Sequence, residues 1–510
     1  MTRLALTMAV GATCTCEGGF LWNVATLRSV SGQQGRRSMK AGRGKTQRSM
    51  PWKVQNRLIR RNAKALRSGS VLAVAQPRWR GGDRRERGAE VHASSAESEA
   101  PAQAHGSDAV HGLIEKGLGT ALLMVATAIS LTLANAGPLG EHWVALFETE
   151  LGPSSMGLHL TIREWVNEGF MALFFFVVGL DIKREFIHGS LASIRAAALP
   201  CLGALGGIVA PIAIYCAINC FRDGGVLSGW AIPMATDIAF AMGVYNAFKH
   251  RMPSGVSAFL LTLATVDDLG AIAVIAICFA GSISAKFLGA AAAAVGALAQ
   301  LDRMQSTNMP AYFVITGALW YCLLMGGINA DIAGVAAAFC VSTRAPAPKK
   351  TGAEAVGDVQ HPTLVDHLIW KLTPYSALFV MPVFALVNTS VPFQLSSIGS
   401  LLSLPLASGI TLGLVLGKPL GIAGASMLGV KLNLASWPKG VGPQHVLTAG
   451  MIGGIGFTMS LFLIEQSLTT TLAKSAAKIA ILSGSALAAL AGAAMMAAQP
   501  AKHPQIAKAQ

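Results

Sequence analysis

Two carboxylates stand side by side in an otherwise apolar run, Ala264-Thr265-Val266-Asp267-Asp268-Leu269-Gly270, and a lysine stands in another, Leu416-Gly417-Lys418-Pro419-Leu420. A third carboxylate, Asp237, follows Thr236 a few residues after Pro233. Charge in hydrocarbon is costly, so ionisable groups in such segments are paired or functional. The chemistry open to them is ionic rather than covalent. A carboxylate taken out of water tends to hold its proton, because desolvation penalises the charged form. The same oxygens, with backbone carbonyls, suit a dehydrated Na+, which like other hard cations takes oxygen ligands. Proton and Na+ then compete for one site, and competition coupled to alternating access gives antiport with no bond made or broken. Neighbouring residues on a helix point about 100° apart, so Asp267 and Asp268 cannot face one partner alike. One can bind a ligand while the other takes a different counter-charge. The plainer alternatives are structural: Asp237 offsets the positive N-terminus of a half-helix, and Lys418 offsets half-helix C-termini or pairs with an Asp.

The elements that must position these groups are membrane helices. The chain has 510 residues, 53% hydrophobic and only 13% charged, about half the charge of a soluble domain. Apolar windows near the length of a bilayer crossing fall at 113–136, 163–181, 196–221, 229–247, 255–280, 285–301, 310–326, 328–343, 366–389, 399–427, 443–466 and 474–497. The expected fold is an all-α polytopic membrane protein of about twelve transmembrane helices. Basic residues gather after the even windows, as at Lys183 and Arg184, Lys249 and Arg251, or Arg344, Lys349 and Lys350. The first odd loop is acidic, with Glu141, Glu148 and Glu150. By the positive-inside rule both ends of the chain face the cytoplasm-like side. Two windows are interrupted: the fourth by Pro233 before Thr236-Asp237, the eleventh by Gly450-Met451-Ile452-Gly453-Gly454-Ile455-Gly456.

The net charge of +15 does not mark a nucleic-acid partner. Residues 1–82 hold 16 Lys/Arg and one acid, Glu17, and the remainder is balanced at 24 of each sign. Residues 1–105 therefore read as a basic transit extension, with 106–510 as the membrane domain. An Arg-rich, acid-poor leader is the signature of organelle import, here a plastid first and a mitochondrion second. The eight cysteines form no framework; six lie in apolar segments and read as small buried hydrophobes.

Six stretches carry a resemblance to the NhaA-type sodium/proton antiporters, over roughly 113–497. They are Phe174–Leu180 leading into Asp181-Ile182-Lys183-Arg184-Glu185, Gly189–Ser193, Gly229–Pro233 with Ala235–Ala241, Asp267–Gly270, Gly417–Gly421 and Gly453–Ser460. The resemblance implies inverted repeats, with the two interrupted helices crossing at midmembrane; Gly/Pro-interrupted segments mark the binding site, a rule drawn in part from this family. It implies Asp268 as main cation and proton ligand, with Asp267 beside it, pairing with Lys418 in one protonation state. Thr236 joins the cation site at the crossing, where Asp237 and Lys418 balance charge. It further implies electrogenic exchange of Na+ or Li+ for H+ in a bilayer, a homodimer, no cofactor, and pH regulation at the cytoplasmic mouth. The positions matching that mouth are Asp181, Glu185, Asp366 and His367, with Glu168 nearby. His367 is the group whose ordinary titration falls near neutral pH; its plainer reading is a solvated interfacial histidine. Asp181 and Asp366 replace glutamates, Asn329 stands where a histidine is expected, and Asp331 is an additional acid.

Other classes were weighed. An intramembrane aspartyl protease would need Tyr-Asp and Gly-x-Gly-Asp contexts that are absent here, and would leave Lys418 idle, so the chain is not read as an enzyme. A channel or inactive scaffold of the same fold fits the interrupted helices and the charged trio less well. A K+/H+ exchanger is the nearest alternative, since cation choice depends on cavity geometry.

Overall fold

The computed structural model describes residues 110–114, 117–281, 283–306, 308–343, 363–392 and 398–499. These belong to one unit of the chain, Ala96–Gln510. The basic extension and the Arg344, Lys349 and Lys350 loop lie outside the described residues.

The described chain begins with α1 (Leu118–Ala134) and a short α2 (Pro138–Phe147). A small antiparallel hairpin follows, β1 (Glu150–Leu151) on β2 (Leu160–Thr161), with Glu150 opposite Thr161. Both occupy the acidic loop that the hydropathy windows pass over. Next is α3 (Ile162–Ile187), opened by a capping box in which Thr161 and Glu164 satisfy each other's backbone N–H. That arrangement gives acceptors to two of the donors a helix start leaves unpaired. Helix α4 (Ile194–Phe221) contains Pro200 and Pro211.

The fourth window is broken as its proline suggests. A 3-10 stretch, Leu227–Met234, gives way to non-helical backbone, extended at Ala235 and Asp237, before α5 (Ile238–Phe248). The continuous α6 (Ser254–Cys278) carries the aspartate pair. Its 25 residues make a rod of about 37 Å, longer than a hydrocarbon core. Then come α7 (Ala285–Arg303), α8 (Met309–Met325) and α9 (Ile332–Phe339). At eight residues α9 is too short to cross a bilayer, so the window 328–343 holds a buried helix rather than a full span.

The second half of the unit holds α10 (Leu364–Asn388) and α12 (Pro405–Lys431), separated by a short α11 (Ile398–Ser403). The eleventh window divides into α13 (Pro443–Gly453) and α14 (Phe457–Ser467), bent by 50° at the glycines. The long α15 (Thr471–Ala497) closes the described chain. Among the described residues seven helices are long and apolar enough to cross a membrane, eight if the bent pair is one span, with α1 and α8 as shorter apolar helices. Every hydropathy window contains a helix.

Glycine sets how closely two of these helices approach. A Cβ at Gly206 of α4 would lie 2.1 Å from the carbonyl oxygen of Gly421 on α12, and one at Gly421 would lie 2.1 Å from that of Gly206. Small residues at such crossings let membrane helices gain packing where lipid gives no hydrophobic drive between them. This crossing sits one turn from Lys418 and fixes the lysine's backbone against α4.

Candidate ion-binding site

The two breaks in the chain meet. The Asp237 amide donates to the Ile455 carbonyl at 2.7 Å, and the Thr236 hydroxyl donates to the Gly453 carbonyl at 2.7 Å. Each break thus satisfies polar backbone that the other frees, as a dry interior requires. Asp237 sits where both half-helices begin. One carboxylate oxygen accepts from the Phe240 amide in the first turn of α5 at 2.9 Å. The other accepts from the Thr458 amide at 3.1 Å and the Thr458 hydroxyl at 2.6 Å, in the first turn of α14. A negative group at two helix N-termini is favourably placed against both dipoles.

Lys418 comes from α12, where a π-helical stretch, Gly413–Gly417, ends at its backbone. Its side chain is fully buried, at 0% exposure. The ammonium pairs with Asp267 at 2.7 Å and donates to the Thr236 hydroxyl at 3.0 Å. The second oxygen of Asp267 is buried with no hydrogen-bond partner. A buried ion pair is maintained only with good geometry, because both charges lose their hydration.

Asp268, one residue on, faces elsewhere, as adjacent helical positions must. It lines a cavity of about 260 Å³ together with Thr265 and Leu261 of α6, Ile238 and Ala239 of α5, and Asp181, Arg184 and Glu185 of α3. The cavity therefore runs from charged residues at the end of α3 to the aspartate pair. Asp267, Asp237 and Lys418 all act electrostatically on Asp268.

The five central residues, Thr236, Asp237, Asp267, Asp268 and Lys418, are thus brought together from three segments. The outer group is placed in parts. Asp181 pairs with Arg184 at 3.2 Å at the cavity rim. Glu185, also at the rim, accepts from the Ser190 amide at 2.8 Å. Asp366 closes a capping box with Thr363 at the start of α10, and His367 beside it is exposed. That start packs through Leu364 and Val365 on Leu180, at the same end of α3. Glu168 does not join them. It lies 13 residues before Asp181 on the same helix, about 20 Å away at the helical rise, and accepts from the Ala330 amide at 3.1 Å. The resemblance implies a place for Glu168 near the mouth; the helix carries it to the other end.

Sequence reading gave Thr458 no role of its own, although it opens the second half-helix two residues after Gly456, where a hydroxyl can reach a neighbouring cap. The cavity-lining Thr265 was likewise visible only as part of the aspartate motif.

Long apolar helices around buried, ion-paired carboxylates, with two broken helices in contact, define an integral membrane protein of the secondary-transporter class. The family model for Na+/H+ antiporter 1 matches residues 112–496. The chain is 40% identical over 386 residues to the Na(+)/H(+) antiporter NhaA of Mesorhizobium japonicum, covering 75% of this chain and 92% of that protein. It is 39% identical over 353 residues to the antiporter of that name from Shewanella sediminis, covering 69% and 84%. With its counterpart from Vibrio parahaemolyticus it shares 37% over 380 residues, 74% and 94%. The chain belongs to the Na+/H+ antiporter 1 family.

Proposed function

We propose that the protein exchanges Na+ or Li+ for H+ by alternating access, with Asp268 as the principal ligand and Asp267 sharing the ion. The observation that carries this reading is the cavity ending on Asp268 directly beside the Lys418–Asp267 pair. A cation entering it meets a carboxylate that can exchange a proton for the ion, and backbone oxygens freed at the two breaks can complete a hard-ligand shell. Loading Na+ draws Asp267 from Lys418; unloading restores the ion pair. With neither ion bound Lys418 holds Asp267 but Asp268 lacks compensation, which disfavours turning the empty site to the other side. When both carboxylates take protons in one half-cycle and share one Na+ in the other, each turnover moves net charge, so exchange is electrogenic.

Asp181, Glu185, Asp366 and His367 cluster at the cavity end of α3 and α10, and their protonation sets access to Asp268. Glu168 belongs to a different end of the bundle. The working unit is a homodimer in a plastid envelope or similar plastid membrane, with the mitochondrial inner membrane as the alternative; the basic, acid-poor leader supports import.

The test is exchange in proteoliposomes under an imposed pH gradient, followed with a fluorescent pH reporter as Na+, Li+ or K+ is added. Na+ should release protons, and Asp268→Asn should abolish release while the protein still folds. Full activity in Asp268→Asn would remove Asp268 from its role, and response to K+ alone would replace Na+ as substrate.

A further inference from the structure

A second pair of acids, one buried and one half-buried, lies outside the Lys418 cluster. Asp331 stands immediately before α9, is 2% exposed, and neither of its carboxylate oxygens has a hydrogen-bond partner. Glu168, in the π-helical turn of α3, accepts from the amide of Ala330, which sets it beside Asp331. The charges acting on this pair are themselves negative: Glu164 on Glu168, and Glu168 on Asp331. Among the described residues no lysine, arginine or histidine forms an ion pair with either acid. Two carboxylates held together, the buried one with no donor from another residue, call for protons or a cation from outside the chain.

The pair also has a telling position. Asp331 borders a cavity of about 10 Å³ whose other walls, Phe175, Ile272, Ile275, Ile332 and Val335, are apolar. Ile272 is one turn beyond Asp268 and Ile275 two, toward the C-terminal end of α6. The large cavity reaches Asp268 from the opposite direction, past Leu261 and Thr265. Asn329 ties the Asp331 turn to that end of α6, donating to the carbonyls of Ile275 and Phe279 at 3.4 Å each.

We propose that Asp331 and Glu168 form a second site for a small monovalent cation and its exchanging proton, beyond Asp268 on the side away from the open cavity. The inference rests on the exchange reading above and adds a station to it. An ion leaving Asp268 toward that end meets carboxylate oxygens within two helical turns instead of hydrocarbon. One cation with one proton, or two protons, neutralises the pair.

The experiment measures protons released when NaCl or LiCl is added to the purified full-length protein in weakly buffered detergent, with choline chloride as the ionic-strength control. Cation binding to carboxylates displaces protons in proportion to the sites filled. Asp268→Asn should lose transport in proteoliposomes yet keep roughly half the proton release in detergent, one site of two. Asp331→Asn and Glu168→Gln should each remove that remaining half when combined with Asp268→Asn, and Asp331→Glu should retain it. Asp331→Asn takes away an unpaired buried charge at nearly constant volume, so its unfolding midpoint should not fall. Loss of all release in Asp268→Asn alone, or unchanged release in the Asp268→Asn/Asp331→Asn double variant, overturns the second site. Residual release in Asp268→Asn, together with no exchange by the unsubstituted protein in proteoliposomes, would sink the exchange reading and leave the second site standing.

Discussion

Replacing Lys418 by methionine removes the one cation from the polar core while keeping most of the side chain's length. The ammonium makes a 2.7 Å pair with Asp267 and a 3.0 Å hydrogen bond to Thr236, with no part of it exposed. In the variant neither Asp267 oxygen keeps a partner, since its second oxygen has none to begin with. Breaking a buried pair by deleting one partner costs about 3–5 kcal/mol. Asp267→Asn alone leaves Lys418 as the unpaired charge and carries a penalty of the same order. Deleting both charges is close to neutral, because two desolvated ions disappear together. The double-mutant cycle should therefore return a coupling of about 6–10 kcal/mol, the sum of the two single penalties and above the usual range for side chains in contact. Equilibrium unfolding in mixed micelles with increasing SDS, read by tryptophan fluorescence, supplies the four stabilities. Additive penalties, with the double variant as unstable as the sum of the singles, would refute the claim that Lys418 and Asp267 compensate each other. The double variant should also fail to transport, because stability is restored without the exchangeable pair.

Gly206→Ala should destabilise by about 1–3 kcal/mol through overpacking, since its Cβ meets the Gly421 carbonyl oxygen at 2.1 Å; Gly424→Ala on the same helix α12, which meets nothing within 4 Å, should be neutral in the same thermal scan. Thr458→Val deletes a 2.6 Å hydroxyl donor to the buried Asp237 and should cost about 1.5–3 kcal/mol, as for hydrogen bonds to charged groups, while Thr458→Ser keeps the donor and most of the stability.

The parts of this architecture that read directly from the sequence share one cause: in an apolar chain every charge is conspicuous. Asp267, Asp268 and Lys418 stood out for that reason, and the helices formed where the hydropathy windows lay. Pro233 and the Gly450–Gly456 run likewise announced the two breaks. What spacing could not show is which charges meet. Lys418 is 151 positions from Asp267, and their pairing was legible only through family resemblance. Short elements escaped for the opposite reason: α2 and the β1–β2 hairpin lie in a polar loop, and α9 is a buried helix of about two turns, flanked by enough apolar residues to imitate a span. Glu168 came to the mouth only with the family resemblance, and the length of the helix that carries it, about 20 Å from Asp181, was not weighed there.

Asp237 ties the first turns of α5 and α14 to a single carboxylate. Two levers bolted at one pivot cannot be displaced independently: any tilt of one half-helix start loads the other. In the alternating-access cycle proposed above, the crossing would then be the fulcrum rather than the moving part. Opening toward either face has to come from the helices that swing around it, and a loosened bolt at Asp237 or Thr458 would cost the two motions their synchrony before it cost the site its ion.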